Sequence, residues 1–475
     1  MIDIDKTIDV FRLGTFDLDC TKMVLRQRTE GGRRFVGRGY IRQIEDGSLV
    51  FKLYVEKEEN AGPQAIFEML TGERPGALFS DDDLYDLTAT AVDGTEWRAG
   101  RIADPRPNWN MQDNTGILGG RLYSIVAGPI LPPAKPNSLR LHFFEEYELP
   151  LHVWSADADR PLQGMVCDRA EFGACGMQFS VKSRLGSGDT AVEVTADTEF
   201  PPAFDLRIQE AVQYITGHSA IWRARLETYQ GMFILELASP RPKAAHTQFK
   251  PPISRGSREF HDHLWPLFEK FLIYVIANTE AGGDDRHWNS VAYHLYIARE
   301  STSASIDAWA VGVSVAVEAL VSLVEVPGNP DVNGDWAVFR SRALEWLEEQ
   351  ANFSEGIKTR ARGLIGSSAD KGVKQTLREL AEMRRVDKTH VDAWDKLRNR
   401  HVHPKLADLR IPGSAEYREL FRLLWEVEML LHELTFHLIG YEGPFTDYSR
   451  EAFASRQYPL SESMEAAGRT CPDSP

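Results

Sequence analysis

Asp392–Pro404 reads DAWDKLRNRHVHP and sets a guanidinium and an imidazole, Arg398 and His403, five residues apart. An imidazole titrates near neutral pH and can take a proton from a ribose 2′-hydroxyl or return one to a leaving oxygen. A guanidinium stays charged and grips phosphate oxygens through paired N–H groups, with most effect as charge builds on them. Together they suffice to break RNA with the RNA's own 2′-hydroxyl as nucleophile, and that chemistry calls for no metal and no cofactor. The same two residue types also satisfy the dipole at a helix C-terminus, so a structural reading stands beside the chemical one.

The elements around the pair decide where it can act. Thr389-His-Val-Asp392 has the form of a capping box and predicts a helix start. Val391, Trp394, Leu397 and His401 recur at helical spacing and predict a core-facing stripe. Pro404 disfavours helical geometry at His403. On an unbroken helix, residues five apart lie roughly 140° around the axis and about 7.5 Å along it. Either the helix breaks at the proline and His403 turns back, or a second copy supplies the missing half across a two-fold interface. His401 competes for the histidine role, although its place on the stripe favours packing. Asn399 and Arg400 are the adjoining polar candidates. Glu318 is a lone carboxylate in the apolar Ala308–Val324 segment; either it pairs with a cation such as Arg398 or it faces solvent at the helix edge.

Arg398-Asn-Arg-His-Val-His403 resembles the R-x4–6-H motif of the HEPN ribonucleases, with the polar residue after the arginine. The flanks agree: Trp394 to Arg398 before it, Val317–Leu320 upstream, and Phe436–Ser449 after the last helix. A β-rich first half followed by a helical half is similar to ApeA-like anti-phage HEPN proteins, most closely over about residues 300–450. The resemblance implies Arg398 and His403 as the catalytic pair, with Asn399 in support. It also implies a homodimer through the helical domain and RNA as substrate, in tRNA or single-stranded loops. The setting implied is abortive infection, with a phage-derived trigger sensed by the first half.

Length suggests two or three domains. The fold expected is α+β: a β-rich region over 1–238, a sandwich or distorted barrel with a sub-boundary near 132–136, then an all-α bundle over 258–449. Ser239–Ser257, proline-rich and basic, reads as the linker, and 450–475 as a polar tail. Strands are expected through residues 1–130, with hairpins turning at Asp46-Gly47 and Asp93-Gly94. Four scattered cysteines indicate neither a zinc knuckle nor a disulfide framework. The acidic start is no signal peptide, and no segment is apolar enough to span a bilayer, so a cytoplasmic protein is expected. A net charge of -16 opposes indiscriminate nucleic-acid binding. Yet residues 340–410 hold 16 Lys+Arg against 11 Asp+Glu, while the remainder holds 38 against 59, so the positive balance surrounds the motif. His432 and His437 are one residue too far apart for a zinc-protease helix. His261-Asp-His263 falls in a helical pattern, Asp284-Asp285 with His287 reads as a helix start, and Gly37-Arg-Gly39 lacks the helix a phosphate loop requires.

Overall fold

In the computed structural model of the protein, residues 3–60, 69, 79–103, 105–110, 115–128, 138–156, 165–183, 188–229, 232–241, 249–279, 287–324, 330–367, 372–401 and 415–461 are described. The chain divides into two compact units: Met1–Gln209 with Ala220–Lys243, and Glu210–Ser219 with Ala244–Pro475. The proline cluster at 132–136 lies outside the described residues.

The first unit is built on antiparallel strands. They are β1 (Asp17–Gln27), β2 (Arg34–Gln43), β3 (Leu49–Glu59), β4 (Tyr85–Ala91), β5 (Glu96–Ile102), β6 (Arg106–Asn110), β7 (Thr115–Leu122) and β8 (Ser124–Ala127). After them come β9 (Ser138–His142), β10 (Val153–Ala156), β11 (Met165–Ala174), β12 (Met177–Ser183), β13 (Thr190–Thr195), β14 (Ala224–Tyr229) and β15 (Met232–Ala238). All join one sheet in the order β10-β11-β12-β13-β9-β14-β15-β8-β5-β4-β1-β2-β3-β7-β6. Hairpins turn where Asp46-Gly47 and Asp93-Gly94 predict; both glycines take positive φ, 79° and 84°, which a side chain disfavours.

The chain passes from β7 to β8 through Tyr123 alone, yet five strands separate these two in the sheet. A flat sheet would hold them about 29 Å apart at ~4.8 Å per strand. The sheet therefore curls, bringing β7 back beside β8. Alternate residues of its strands, among them Met23, Leu25, Phe35, Phe51, Leu87 and Trp97, fill one core. A helix, α1 (Ile4–Arg12), packs Ile8 and Phe11 onto that core where strand was expected. Its Asp3 cap accepts from the Lys6 backbone N–H, and the stretch is too short and polar for its period to stand out.

Helix α2 (Phe204–Thr216) runs from the first unit into the second. The second unit then adds α3 (Phe260–Ala277), α4 (Ser290–Ser301), α5 (Ile306–Ser322), α6 (Pro330–Glu349), α7 (Glu355–Ser367), α8 (Val373–Glu382), α9 (Lys388–His401) and α10 (Ala415–Ile439). Leu420, Leu423, Leu424, Val427, Leu430, Leu431 and Leu434 of α10 are buried, as the heptad-like spacing predicts. Helix α10 contacts α3, α5 and α9, so it is the axis of the bundle.

The pattern over Asn329–Gly334 predicts a helix break, but residues 330–334 form the first turn of α6, with Pro330 at the position where a missing N–H costs nothing. The tail read as polar contains a strand, for β16 (Gly443–Asp447) and β17 (Ala454–Tyr458) pair as a hairpin, and Phe445 and Tyr458 pack on Phe436 of α10 at 5.4 Å. The second half of the linker stretch is likewise packed: Phe249 and Ile253 are buried, and the Thr446 backbone N–H of β16 donates to the Pro252 carbonyl at 3.0 Å.

Candidate functional site

Helix α9 carries the motif, and its start differs from the expected capping box. The helix begins at Lys388, and Asp387 supplies the cap: its carboxylate accepts from the Thr389 backbone N–H at 2.9 Å and hydroxyl at 2.8 Å. A carboxylate two residues earlier is the stronger acceptor, so Thr389 donates instead of capping. Val391, Trp394 and Leu397 are buried along the expected stripe. The Trp394 indole N–H reaches the Ser314 carbonyl on α5 at 3.4 Å, which fixes the rotation of α9 against α5.

That rotation brings Arg398 to Glu318. The Arg398 Nε lies 2.5 Å from the Glu318 carboxylate, and both side chains are about one-third exposed, at 36% and 35%. Glu318 is thus both paired and at the helix edge, joining the two alternatives the sequence left open. The guanidinium carbon sits 5.8 Å from the Trp394 ring centroid, one turn back on the same helix. Glu318 holds Arg398 through Nε, and the side chain keeps about one-third of its surface exposed.

The other motif residues diverge. His403 lies outside the described residues, and of His401 only its place as the last residue of α9 is described. Asn399 donates to Asp395 at 3.4 Å, and Asp395 is bridged by Lys374 of α8 at 2.6 Å. Arg400 and Lys396 act on the opposite flank. The Glu419 carboxyl on α10 is held low by hydrogen bonds from Arg422 and by the charges of Arg422, Lys396 and Arg400. Residues two apart on a helix point about 200° apart, so the structure brings Arg398 to Glu318 and turns Arg400 away from both.

A second constellation went unread in the sequence. His390, in the first turn of α9, is buried and lies 3.1 Å from Glu433 of α10 through Nδ1 and 3.2 Å from the Ser449 hydroxyl through Nε2. Ser449 donates to Asp447 at 2.5 Å, and Arg456 bridges Asp447 and Asp387, each at 3.0 Å. Arg450 reaches Asp447 at 3.0 Å. Beside this cluster is a cavity of about 340 Å³ whose walls include Lys396, Arg422, Glu426, Ser449 and Arg450. The chain Ser449–His390–Glu433 has the contacts of a nucleophile, base and acid. Its protonation argues otherwise. Burial alone would lower the imidazole, but Glu433, with Asp447 and Asp387 behind it, pushes it up to about 9. A cation at neutral pH cannot serve as base, so this is an ion cluster that pins the start of α9 to α10 and the hairpin. The contacts that tie α9 and its cap to α10 and the hairpin join residues 43 to 69 apart in sequence. The visible signal was only an Asp-x-x-His before a helix and an Asp-Tyr-Ser after one.

His432 and His437 do not converge on an ion. His432 is buried and donates through Nε2 to the Lys250 carbonyl at 3.1 Å, and burial lowers it to about 4. Among the described residues, no three His, Cys, Asp or Glu side chains are grouped so as to hold a metal, and no helix is long and apolar enough to cross a membrane. Comparison of the chain with protein-family models, with curated proteins and with solved structures finds no match in any of the three.

Proposed function

We propose that the helical unit is a metal-independent endoribonuclease of the HEPN kind, acting as a homodimer on single-stranded or tRNA loops. The observation that carries this reading is the Arg398 guanidinium, braced through Nε by Glu318 and about one-third exposed. That posture suits a group that must meet a phosphate without first rearranging. Arg398 would steady the pentacoordinate phosphorane, and His403 would move the proton between the 2′-hydroxyl and the leaving 5′-oxygen. The products would carry 2′,3′-cyclic phosphate and 5′-hydroxyl ends. Flexible loops reach the in-line geometry most readily. The setting proposed is anti-phage defence by abortive infection in the cytoplasm, with the β-rich unit sensing a phage-derived trigger.

One observation favours a second reading. The Arg398–Glu318 pair is itself a complete ion pair, as a non-catalytic dimerisation or nucleotide-binding module would have. The two readings part in one assay: total RNA incubated with the protein in excess EDTA, beside Arg398→Ala, His403→Ala and His401→Ala. Cleavage unaffected by EDTA and lost in Arg398→Ala and His403→Ala supports the enzyme. No cleavage by the wild type supports the binding module, and loss in His401→Ala alone reassigns the histidine.

A further inference from the structure

Gly37-Arg-Gly39 is not a phosphate loop, but the sheet gives these glycines a different task. A Cβ at Gly37 would lie 1.9 Å from the Tyr54 carbonyl oxygen, and one at Gly39 would lie 1.8 Å from that of Lys52. Only glycine permits so close an approach of β2 to β3. The strand bends tightly over β3, and its alternation places Arg38, Tyr40 and Arg42 on the outer surface.

The register extends that surface. Arg38 stands opposite Tyr54, Tyr40 opposite Lys52, and Arg42 opposite Val50. Across β3, Tyr54 faces Ile117, Lys52 faces Gly119, and Val50 faces Arg121. Gly119 in turn faces Arg106 of β6, and Ile117 faces Asn108. Opposed residues share a face of the sheet, so three rows across these four strands carry five cations and two tyrosines, while β1 on the other side of β2 adds Asp17 opposite Arg42 and Asp19 opposite Tyr40. On a chain of net charge -16, cations outnumber acids on this face.

Aromatic and cationic side chains are interleaved within it. The Arg42 guanidinium lies 4.7 Å from the Tyr40 ring centroid and the Lys52 ammonium 5.3 Å from that of Tyr54. Acids act on the face from its margins: Asp17 on Arg42 at 2.7 Å, Glu56 on Arg38 at 3.4 Å and Asp46 on Arg121 at 3.3 Å, with Asp19 of β1 opposite Tyr40. These pairs are solvent-exposed and weak, so phosphates can displace them. Gly119 leaves the centre of the four-strand face without a side chain, open to a flat ligand.

We propose that this β2–β3–β7–β6 face binds single-stranded nucleic acid, bases stacking on Tyr40 and Tyr54 and phosphates following the cations. Stacking on exposed rings requires unpaired bases, and the cations supply the salt-dependent part of the affinity. The inference concerns the β-rich unit and does not rest on the cleavage reading.

The test uses the full chain and a fluorescein-labelled 12-nucleotide 2′-O-methyl RNA, which has no free 2′-hydroxyl to attack its own backbone. Polarisation should show binding that weakens steeply with salt. Tyr40→Val and Tyr54→Val keep strand preference and should each weaken binding about tenfold. Tyr54→Phe, which keeps the ring, should stay within about twofold. Lys52→Gln should lower the slope of log affinity against log salt by about 0.7. Wild-type affinity in the Tyr40→Val/Tyr54→Val double variant, its fold confirmed by circular dichroism, overturns the proposal. So does equal competition by heparin or by duplex RNA, which would make the face a plain cationic patch. Should either valine variant fail to fold, Lys52→Gln with Tyr54→Phe still decides: an unchanged salt slope overturns the idea.

Discussion

The ion cluster under α9 makes a signed, local prediction. His390 is almost wholly buried at 1% exposure and is pushed up to about 9 against a reference of 6.5, because Glu433 outweighs the burial that would otherwise lower it. In the native state the imidazole keeps its proton between those pH values, and in the open state it has lost it. Its stabilisation is therefore fully present below about pH 6.5 and drains away as pH rises through 9. At ~1.4 kcal/mol per unit the amount is about 3 kcal/mol, or a few hundredfold in the opening equilibrium. Hydrogen-exchange mass spectrometry on peptides from Lys388–His401, corrected for the intrinsic base dependence, should show that loss between pH 6.5 and 9. His390→Gln should remove the pH dependence. It should also raise exchange at pH 6.5, because Glu433 is left buried without its cation, at a cost of about 3–5 kcal/mol. Equal pH slopes in wild type and variant would refute the assignment of the proton to His390.

Three further outcomes are expected. Burial pushes Glu428 up to about 8 despite its hydrogen bond from the Lys250 N–H; the native carboxyl stays protonated where the unfolded one ionises, so stability falls as pH rises from about 4.5 to 8. Glu428→Gln should flatten the thermal midpoint across that window, and an unchanged slope counts against it. Glu318→Gln should cut RNA cleavage about tenfold by loosening Arg398, while the melting temperature stays nearly fixed because the pair is one-third exposed; unaltered cleavage rates would show that Glu318 does not position the arginine. Gly39→Ala drives a methyl against the Lys52 carbonyl and should cost the sheet about 3 kcal/mol, read from the urea midpoint of the tryptophan fluorescence, which includes buried Trp97; no shift would mean that β2 relaxes freely.

Sequence periodicity was informative where one face is buried against one partner. The Leu420–Leu434 spacing, the stripe through Val391, Trp394 and Leu397, and the two Asp-Gly hairpins all lie where pattern and turn chemistry place them. The pairing of Glu318 with Arg398 was also within reach, because a charge in an apolar helix demands a partner. What stayed hidden was non-local. His390, Glu433, Asp447 and Arg456 each read as an ordinary polar residue near a helix or strand end, and only the fold gathers them. The cap at Asp387 was missed because Thr389–Asp392 matches the capping-box pattern while a stronger acceptor stands two residues earlier. Residues 454–458 alternate too briefly to announce a strand, and so does their partner β16.

The division of the chain bears on how the protein can be taken apart. Glu210–Ser219 belongs with the helices although Ala220–Lys243, which follows it, returns to the sheet. From that short loan, Tyr214 stacks on Phe271 at 4.4 Å, the Gln213 carbonyl accepts from Arg299 at 2.9 Å, and Glu210 accepts the Asn289 N–H at 2.8 Å. Cutting at the proline-rich stretch near 244 would therefore yield a bundle missing a wall, with Phe271 and Arg299 uncovered. A separable helical fragment has to carry residues 210–219 back to it, by circular permutation or as an added peptide. On the ribosome, the bundle must wait for its last helices to close around a segment made some 200 residues earlier.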